Sequence, residues 1–300
     1  MLVRILLLIV VTAAVTCAQE WRPERFPIGF WSGPPPDYNT LETWQTAAAA
    51  IFTFVGPRGG FTVEDNLRML DLCEQAGIEV MVSDGRIGWT MIGAEDWAET
   101  VGQVVADYAA HSALFGYYLQ DEPNYQTFEA LGQIRAEFVR RDPQHLAYIN
   151  LFPTYANVQQ LGTPTYFEHV ERFMQIVQPR VLSYDHYALR RNGADRPDYY
   201  ENLAIIREAA LRHGAHPWQI ILSTGHPGYR DVSAGEMRWQ VYTSLACGMK
   251  GILYFTYWSN AGREAEGMQA IVSTTGEPAR LYPIVRDLNA QILALGPTLL

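Results

Sequence analysis

The sequence predicts a single-domain (β/α)8 TIM barrel, because eight short apolar runs alternate with amphipathic segments along 300 residues. The runs are continuously apolar rather than alternating, which is typical of parallel strands covered on both faces. The segments between them repeat apolar residues with the helical period. Eight strand-then-helix units in one domain-sized chain favour a closed barrel. An open doubly wound sheet is the structural alternative.

The predicted strands all end at polar or turn-forming residues. Since the strands of such a barrel are parallel, their carboxyl ends meet at one rim, where barrel enzymes place their active sites. The strands are predicted at residues 28–31, 51–55, 79–83, 114–119, 146–150, 181–184, 219–223 and 251–256.

Four of the intervening helices have clear apolar stripes. Thr62 is predicted to cap the first of them and Gly77 to follow its end, while Pro278 is predicted to open the last. The stripes are Val63, Leu67, Leu70 and Cys73; Phe128, Leu131, Ile134 and Phe138; Met237, Val241, Leu245 and Gly248; and Leu281, Ile284, Val285, Leu288, Ile292 and Leu295.

The composition suits one globular domain, with 48% hydrophobic and 18% charged residues. The formal net charge of -10 argues against a nucleic-acid partner, because phosphate binding needs clustered lysine and arginine. Cys73 and Cys247 fall on predicted apolar helix faces, and no Cys/His cluster has metal-ligand spacing, so neither a metal nor another cofactor is expected. No pattern indicates the oligomeric state.

The first 18 residues have the order of a signal peptide. Arg4 supplies the positive charge, residues 5–11 form the apolar region, and small residues follow up to Ala18. Cleavage after Ala18 would leave residues 19–300 as a secreted or periplasmic barrel without a stable membrane span. A retained N-terminal anchor and a lipidated Cys17 are the alternatives.

Polar and aromatic side chains cluster directly after the predicted strands. Sugars need this mixture, since carboxylates and amides hydrogen-bond their hydroxyl groups and aromatic rings stack on their C–H faces. We therefore expect a carbohydrate substrate at this rim. The predicted catalytic residues are Glu122 and Asp185, and the predicted substrate-binding residues are Trp31, Asp84, Asp121, Asn150, His186, Tyr187, His226, Tyr257 and Trp258.

Simpler roles remain open for several of these side chains. Asp121 or Glu122 could cap the helix that begins near Tyr125, because acids favour a helix N-terminus. Asp185 could bind a sugar hydroxyl or orient a loop without entering the chemistry. Others could serve the protein's own packing and hydrogen bonding, namely His186, His226, Trp31 and Trp258.

Residues 116–123 (GYYLQDEP) resemble the fourth-strand motif of the clan A-like barrel glycosidases, including relatives of the family 42 β-galactosidases. The resemblance implies a general acid/base at Glu122. Residues 251–258 (GILYFTYW) are similar to the eighth strand of that clan, whose terminal aromatic residue, here Trp258, forms the floor of the sugar subsite. Residues 276–300 look like its closing helix, so the likeness spans most of residues 27–300.

The chain departs from the clan at two positions. The clan carries its nucleophile as a glutamate that ends strand seven, whereas this strand ends ILSTGH, at residues 221–226, without a carboxylate. The usual asparagine before the acid/base glutamate is Asp121 here. The clan's retaining mechanism therefore cannot be carried over intact.

Glycosidic cleavage generally uses one carboxyl group as a proton donor and a second as a nucleophile or base. We expect Glu122 to be the acid and Asp185 the second carboxylate, with Asp121 and Asp84 as reserves. The alternative is a non-catalytic carbohydrate-binding barrel that has lost its second carboxylate. The separation between Glu122 and the nearest other acid discriminates between the two.

Overall fold

The strands in the computed structural model, which describes residues 20–58 and 61–300, form one parallel sheet. Its hydrogen-bonded order is β1-β8-β7-β6-β5-β4-β3-β2, which is the order around a barrel opened between β1 and β2. The strands are β1 (Ile28–Phe30), β2 (Phe54–Val55), β3 (Glu79–Val82), β4 (Leu114–Asp121), β5 (Leu146–Leu151), β6 (Val181–Asp185), β7 (His216–Leu222) and β8 (Ile252–Phe255).

Helices follow the strands and surround the sheet, so the predicted (β/α)8 TIM barrel is confirmed. Single turns of 3-10 helix at Pro36–Tyr38 and Tyr125–Thr127 precede α1 and α4. The helices are α1 (Leu41–Ala49), α2 (Val63–Ala76), α3 (Trp97–Tyr108), α4 (Phe128–Arg141), α5 (Val158–Leu161), α6 (Tyr166–Ile176), α7 (Tyr199–His213), α8 (Ala234–Ala246), α9 (Ala261–Ala265) and α10 (Tyr282–Leu299).

Thr53 closes the seam between β1 and β2. Its backbone N–H donates to the Ile28 carbonyl oxygen at 2.8 Å, and its hydroxyl oxygen accepts from the Ile28 N–H at 2.8 Å. The side chain thus replaces a main-chain partner where the ladder is interrupted. These bonds join the two edges of the sheet and argue against the open doubly wound alternative.

Two strands extend further toward the carboxyl rim than the sequence predicts. β4 continues through Asp121, and β6 includes Asp185. Both acids are therefore anchored in the hydrogen-bonded barrel wall rather than in loops, which fixes their backbones.

The capping predictions for α2 are confirmed, but its buried stripe differs from the predicted one. Thr62 accepts from the Asp65 N–H in a capping box, and Gly77 adopts a left-handed φ of 74° after the last turn. Leu67 is 36% exposed, whereas Asn66 is buried and donates to a carbonyl at the end of β3. The stripe is rotated because it includes this buried amide, which a purely apolar pattern does not count.

The final helix begins later than predicted. α10 starts at Tyr282 with Pro283 in its first turn, whereas Pro278 lies in the preceding loop. Leu288 and Ile292 are buried as expected, but Leu295 is 45% exposed.

Aromatic rings fill the amino-terminal half of the barrel. Phe54 stacks on Phe115 with ring centroids 4.3 Å apart, and Trp218 lies 5.8 Å from Phe54. Gly29 leaves the space that the Phe54 ring occupies, because a Cβ there would lie 2.3 Å from it. The interior at this end is therefore a packed core, and open space for a ligand lies toward the rims.

The predicted signal peptide, residues 1–18, lies outside the described residues, so export stays a prediction. In the described part of the chain, no helix has both the length and the apolar character needed to cross a membrane. Cys73 is buried in α2, and Cys247 follows α8 as a half-buried residue, both with free thiols.

Replacing Thr53 with valine should lower the free energy of unfolding by about 1–3 kcal/mol, because the buried Ile28 N–H loses its acceptor. Thr46→Val is the matched control, since the Thr46 hydroxyl only hydrogen-bonds within α1 near solvent. Chemical denaturation of both variants measures the difference. An equal effect of the two substitutions would show that Thr53 does not hold the seam.

Candidate functional site

Three acids and one amide meet at the carboxyl rim of β4, β5 and β6. Asp121 ends β4 and Glu122 follows it, Asn150 lies near the end of β5, and Asp185 ends β6. We call Asp121, Glu122 and Asp185 the acid cluster. Because the three strands are consecutive neighbours in the sheet, their ends bring these side chains together.

The Asn150 amide lies between two members of the cluster. Its Nδ2 donates to one carboxylate oxygen of Asp121 and to one of Asp185, both at 3.1 Å. Its Oδ1 accepts from the Ser183 hydroxyl at 3.1 Å, which fixes the direction in which the amide points. Asn150 was predicted to bind substrate, and in the structure its amide N–H groups are directed at the two acids.

Glu122 has a strained backbone. Its φ is 44°, a left-handed value that side-chain-bearing residues adopt at a cost of about 1 kcal/mol or more. Its N–H donates to the Asn150 carbonyl oxygen at 2.8 Å, which helps to hold this conformation. The resulting turn places the Glu122 carboxyl group within hydrogen-bonding distance of Asp185.

Burial raises the pKa of all three acids, and repulsion by neighbouring acids adds to the shift for Glu122 and Asp185. Burial raises the pKa of Asp121 to about 6, although the hydrogen bond from Asn150 opposes it. Burial also raises the pKa of Glu122, and the charges of Asp185 and Asp121 raise it further. Burial and Asp121 raise the pKa of Asp185, which the hydrogen bonds from Asn150 and Glu122 partly offset. The Glu122–Asp185 pair therefore retains a proton near neutral pH, held on Glu122 and donated to Asp185.

A wall of aromatic side chains borders the acid cluster. The buried Tyr187 ring lies 5.3 Å from Phe255 and 5.5 Å from the His226 ring. The hydroxyl of Tyr155 accepts from the Tyr187 N–H at 3.4 Å, and the Arg196 guanidinium lies 3.6 Å from the Tyr155 ring centroid. Sequence reasoning missed Tyr155, because it lies within the loop after β5 and belongs to no periodic pattern.

Asp84 is committed to other partners. Arg86 binds both of its carboxylate oxygens, at 2.9 and 2.7 Å, and the Tyr108 hydroxyl donates to it at 2.7 Å. Burial raises the pKa of Asp84, but these hydrogen bonds lower it more, so the net shift is downward. Asp84 lines a cavity of about 370 Å³ together with Asp121, which places it beside the acid cluster rather than within it.

Two further predicted residues point away from the cluster. His186 is fully buried between the rings of Tyr155 and Tyr199, and its Nε2 lies 3.5 Å from Asp198. Burial lowers the pKa of His186 to about 4. Tyr257 is 1% exposed and stacks on a β1 ring in the barrel core. Both positions suit packing better than contact with a ligand.

The remaining predicted residues occupy the rim around β8, β1 and β7. The Trp31 ring contacts Tyr118 edge-on at 5.5 Å. Trp258 is largely buried but lines a second cavity of about 370 Å³. Burial and the nearby charge of Arg263 lower the pKa of His226 to about 4, so its imidazole is neutral at physiological pH.

A larger cavity, of about 920 Å³, lies at the opposite rim. It is lined by amino-terminal strand residues such as Glu79 and Leu114, and its Glu79 carboxylate is paired with Arg25 at 3.2 Å. Among all the residues that the structure describes, no group of three or more His, Cys, Asp or Glu side chains has an arrangement suited to a metal ion.

Solved structures with the same barrel include several glycoside hydrolases. A β-galactosidase from Marinomonas ef1 aligns with a TM-score of 0.61 and 10% identity over 91% of this chain and 60% of its own. A β-galactosidase from Halorubrum lacusprofundi aligns with a TM-score of 0.62 and 11% identity over 89% of this chain and 58% of its own. A GH5 protein from Bifidobacterium longum, in complex with Manβ1-4GlcNAc, aligns with a TM-score of 0.61 and 13% identity over 89% of this chain and 78% of its own.

These similarities confirm the expected (β/α)8 barrel fold. The chain spans about three fifths of the two β-galactosidase chains. No protein-family model and no curated protein sequence matches it.

The raised pKa values predict how stability depends on pH. Each of these acids has a higher pKa in the folded protein than in the unfolded chain, so at pH values between the two the folded protein binds more protons. The free energy of unfolding therefore falls as pH rises through that range. Glu122→Gln removes one such group. The difference in unfolding free energy between this variant and wild type should therefore shift in favour of the variant by about 1 kcal/mol or more as the pH rises from about 5 to about 8.

Denaturant titrations at the two pH values measure this gain. Glu201→Gln, on the exposed surface of α7, is the matched control and should show no comparable change. A pH-independent difference between Glu122→Gln and wild type would contradict the assigned protonation of the pair.

Proposed function

We propose that this chain hydrolyses the O-glycosidic bonds of an oligo- or polysaccharide, with Glu122 as general acid/base and Asp185 as the second carboxylate. The observation that supports this most strongly is the buried pair itself, in which Glu122 donates a hydrogen bond to Asp185 and burial raises the pKa of both acids. Glycosidic cleavage requires a protonated acid beside a second carboxyl group, and Glu122 as the hydrogen-bond donor of the pair suits the first role.

In the proposed mechanism, the sugar enters between the two carboxyl groups. They now lie closer than the separations of about 5–5.5 Å and about 6.5–9.5 Å typical of retaining and inverting glycosidases, so the Glu122 side chain must rotate away. Glu122 then donates its proton to the glycosidic oxygen as the bond to the anomeric carbon breaks. Either Asp185 takes a proton from the water that attacks that carbon, or Asp185 attacks the carbon itself and forms a glycosyl ester, which water deprotonated by the now ionised Glu122 then hydrolyses.

Asp185 is well placed to replace the glutamate missing from strand seven. β6 pairs with β7, and Asp185 lies in register with Ile220. At the end of β7, the Ser223 hydroxyl donates to the Thr256 carbonyl oxygen, so this position serves the barrel wall. The second carboxylate would thus have moved by one strand, from β7 to β6.

The acid pair favours hydrolysis over the alternative of a non-catalytic sugar-binding barrel, since a binding module has no need to bury a shared proton. The β-galactosidase and GH5 neighbours make β-galactosides and β-mannosides the first substrates to test. From the pattern of the first 18 residues, we further propose that the protein is exported.

Glu122→Gln should lower the rate of hydrolysis of an unactivated oligosaccharide by about 10²–10⁴-fold, because an amide cannot donate the acid proton. Sugar binding should persist, since the amide keeps the shape of the carboxyl group. Steady-state kinetics and calorimetry separate the two effects, with Glu201→Gln as the control. Turnover of a natural substrate at the wild-type rate would remove Glu122 from the acid role.

Asp185→Ala should also lose hydrolysis, and added azide should restore turnover of an activated aryl glycoside by taking the place of the lost carboxylate. Product formation with and without azide, for Asp185→Ala and Asp84→Ala side by side, is the measurement. Asp84→Ala should show no azide response, since Arg86 already occupies that carboxylate. Full activity of Asp185→Ala would transfer the role to Asp121.

A further inference from the structure

A second cavity opens at the same rim as the acid cluster, among the loops that follow β1, β2 and β8. Its volume is about 370 Å³, and Phe255 forms part of its wall. Phe255 also contacts Tyr187 at 5.3 Å, so one aromatic layer separates this cavity from the acid cluster. The side chains that matter here are Ser32, Arg58, Trp258, Asn260, Arg263 and Thr274.

Arg58 carries an uncompensated charge in this wall. Its Nη1 donates to the Gly33 carbonyl oxygen at 2.5 Å, while its Nε is buried and has no hydrogen-bond partner. No carboxylate among the described residues forms an ion pair with it. Burial lowers the pKa of Arg58, which reflects the cost of holding this cation without a counter-charge.

Arg263 supplies a second cation to the same cavity. Its side chain forms neither a hydrogen bond nor an ion pair with any described residue. The adjacent Glu264 is not its partner, because that carboxylate accepts from the Thr274 N–H at 3.2 Å and from Gln269 at 2.9 Å. The positive charge of Arg263 is close enough to His226 to lower the pKa of that imidazole.

The chain has 32 acidic residues against 22 basic ones, so carboxylates are in excess. Three arginines near the rim are bound to carboxylates. Arg86 binds Asp84 at 2.7 Å, Arg230 binds Asp195 at 2.6 Å, and Arg280 binds Asp231 at 2.6 Å. Arg58 and Arg263 both line one cavity and neither is bound to a carboxylate, which favours a ligand with its own negative charge.

We propose that this cavity is a subsite for a sugar residue that carries an anionic substituent, either a carboxylate or a sulfate ester. Arg58 and Arg263 bind the anion, and the hydroxyl and amide groups of Ser32 and Asn260 bind sugar hydroxyls. The substrate class is therefore an acidic glycan. This proposal rests on the proposed glycosidase function and names its substrate.

Pairs of charged and neutral sugars test the subsite without requiring turnover. Wild-type protein is titrated with D-glucuronate, D-galacturonate and glucose 6-sulfate, each against its neutral parent sugar, by ligand-observed NMR. At least one anionic sugar should bind about tenfold more tightly than its parent, which corresponds to about 1.4 kcal/mol, and added salt should weaken it. The uronates and the sulfate ester distinguish the two sources of charge.

Arginine variants assign the effect to this cavity. Arg263→Gln and Arg58→Gln should each abolish the preference for the anionic sugar, while Arg238→Gln, on the outer face of α8, should retain it. Arg263 is half-buried on the short α9, so its replacement leaves the core intact. Equal affinity for charged and neutral sugars, the absence of any binding at millimolar concentration, or a preference that survives both substitutions would overturn the proposal.

The outcome is separable from that of the catalytic proposal. Charge-selective binding without hydrolysis of any glycan would leave the subsite standing and refute catalysis. Hydrolysis of neutral substrates that depends on Glu122, with no preference for an anionic sugar, would refute the subsite alone.

Discussion

The site depends on one amide placed between two carboxylates. Asp121 and Asp185 would repel each other strongly in a buried position, and the Asn150 Nδ2 group donates a hydrogen bond to each of them. This bridge requires β4, β5 and β6 to keep a fixed register, because a slip of one residue would turn a side chain to the other face. Closure of the barrel at Thr53 and its packed aromatic interior hold that register.

The sequence was informative wherever topology decides the outcome. Continuous apolar runs identify buried parallel strands, and parallel strands place their carboxyl ends at one rim, so the sequence alone predicts that Glu122 and Asp185 lie at the same rim. Thr62 and Gly77 were predictable for a similar reason, since capping depends on neighbouring residues alone. Strand ends were less well predicted, because Asp121 and Asp185 are polar and yet continue the ladder.

Side-chain direction and loop position could not be predicted from the sequence. His186 and Tyr257 follow strands as the true cluster residues do, but backbone alternation turns them toward α7 and toward the core. Tyr155 and Arg58 lie in loops, where no periodicity indicates what they will contact. Asn150 was correctly placed at the rim, but its orientation toward the two acids depends on Ser183 and Tyr148 beneath it.

The order of strands also separates charge across the mouth of the barrel. The acid cluster lies on β4 and β6, whereas the loops that carry Arg58 and Arg263 follow β2 and β8, on the other side of the ring. The acid cluster would repel the anionic substituent of a sugar, and Arg58 and Arg263 would attract it, so the sugar would enter in one orientation. Its glycosidic oxygen would then face Glu122 while its charge stays distant from Asp185. Raised carboxyl pKa values and unpaired arginines would thus be two parts of one electrostatic arrangement, in which the substrate's own charge determines which bond meets the acid.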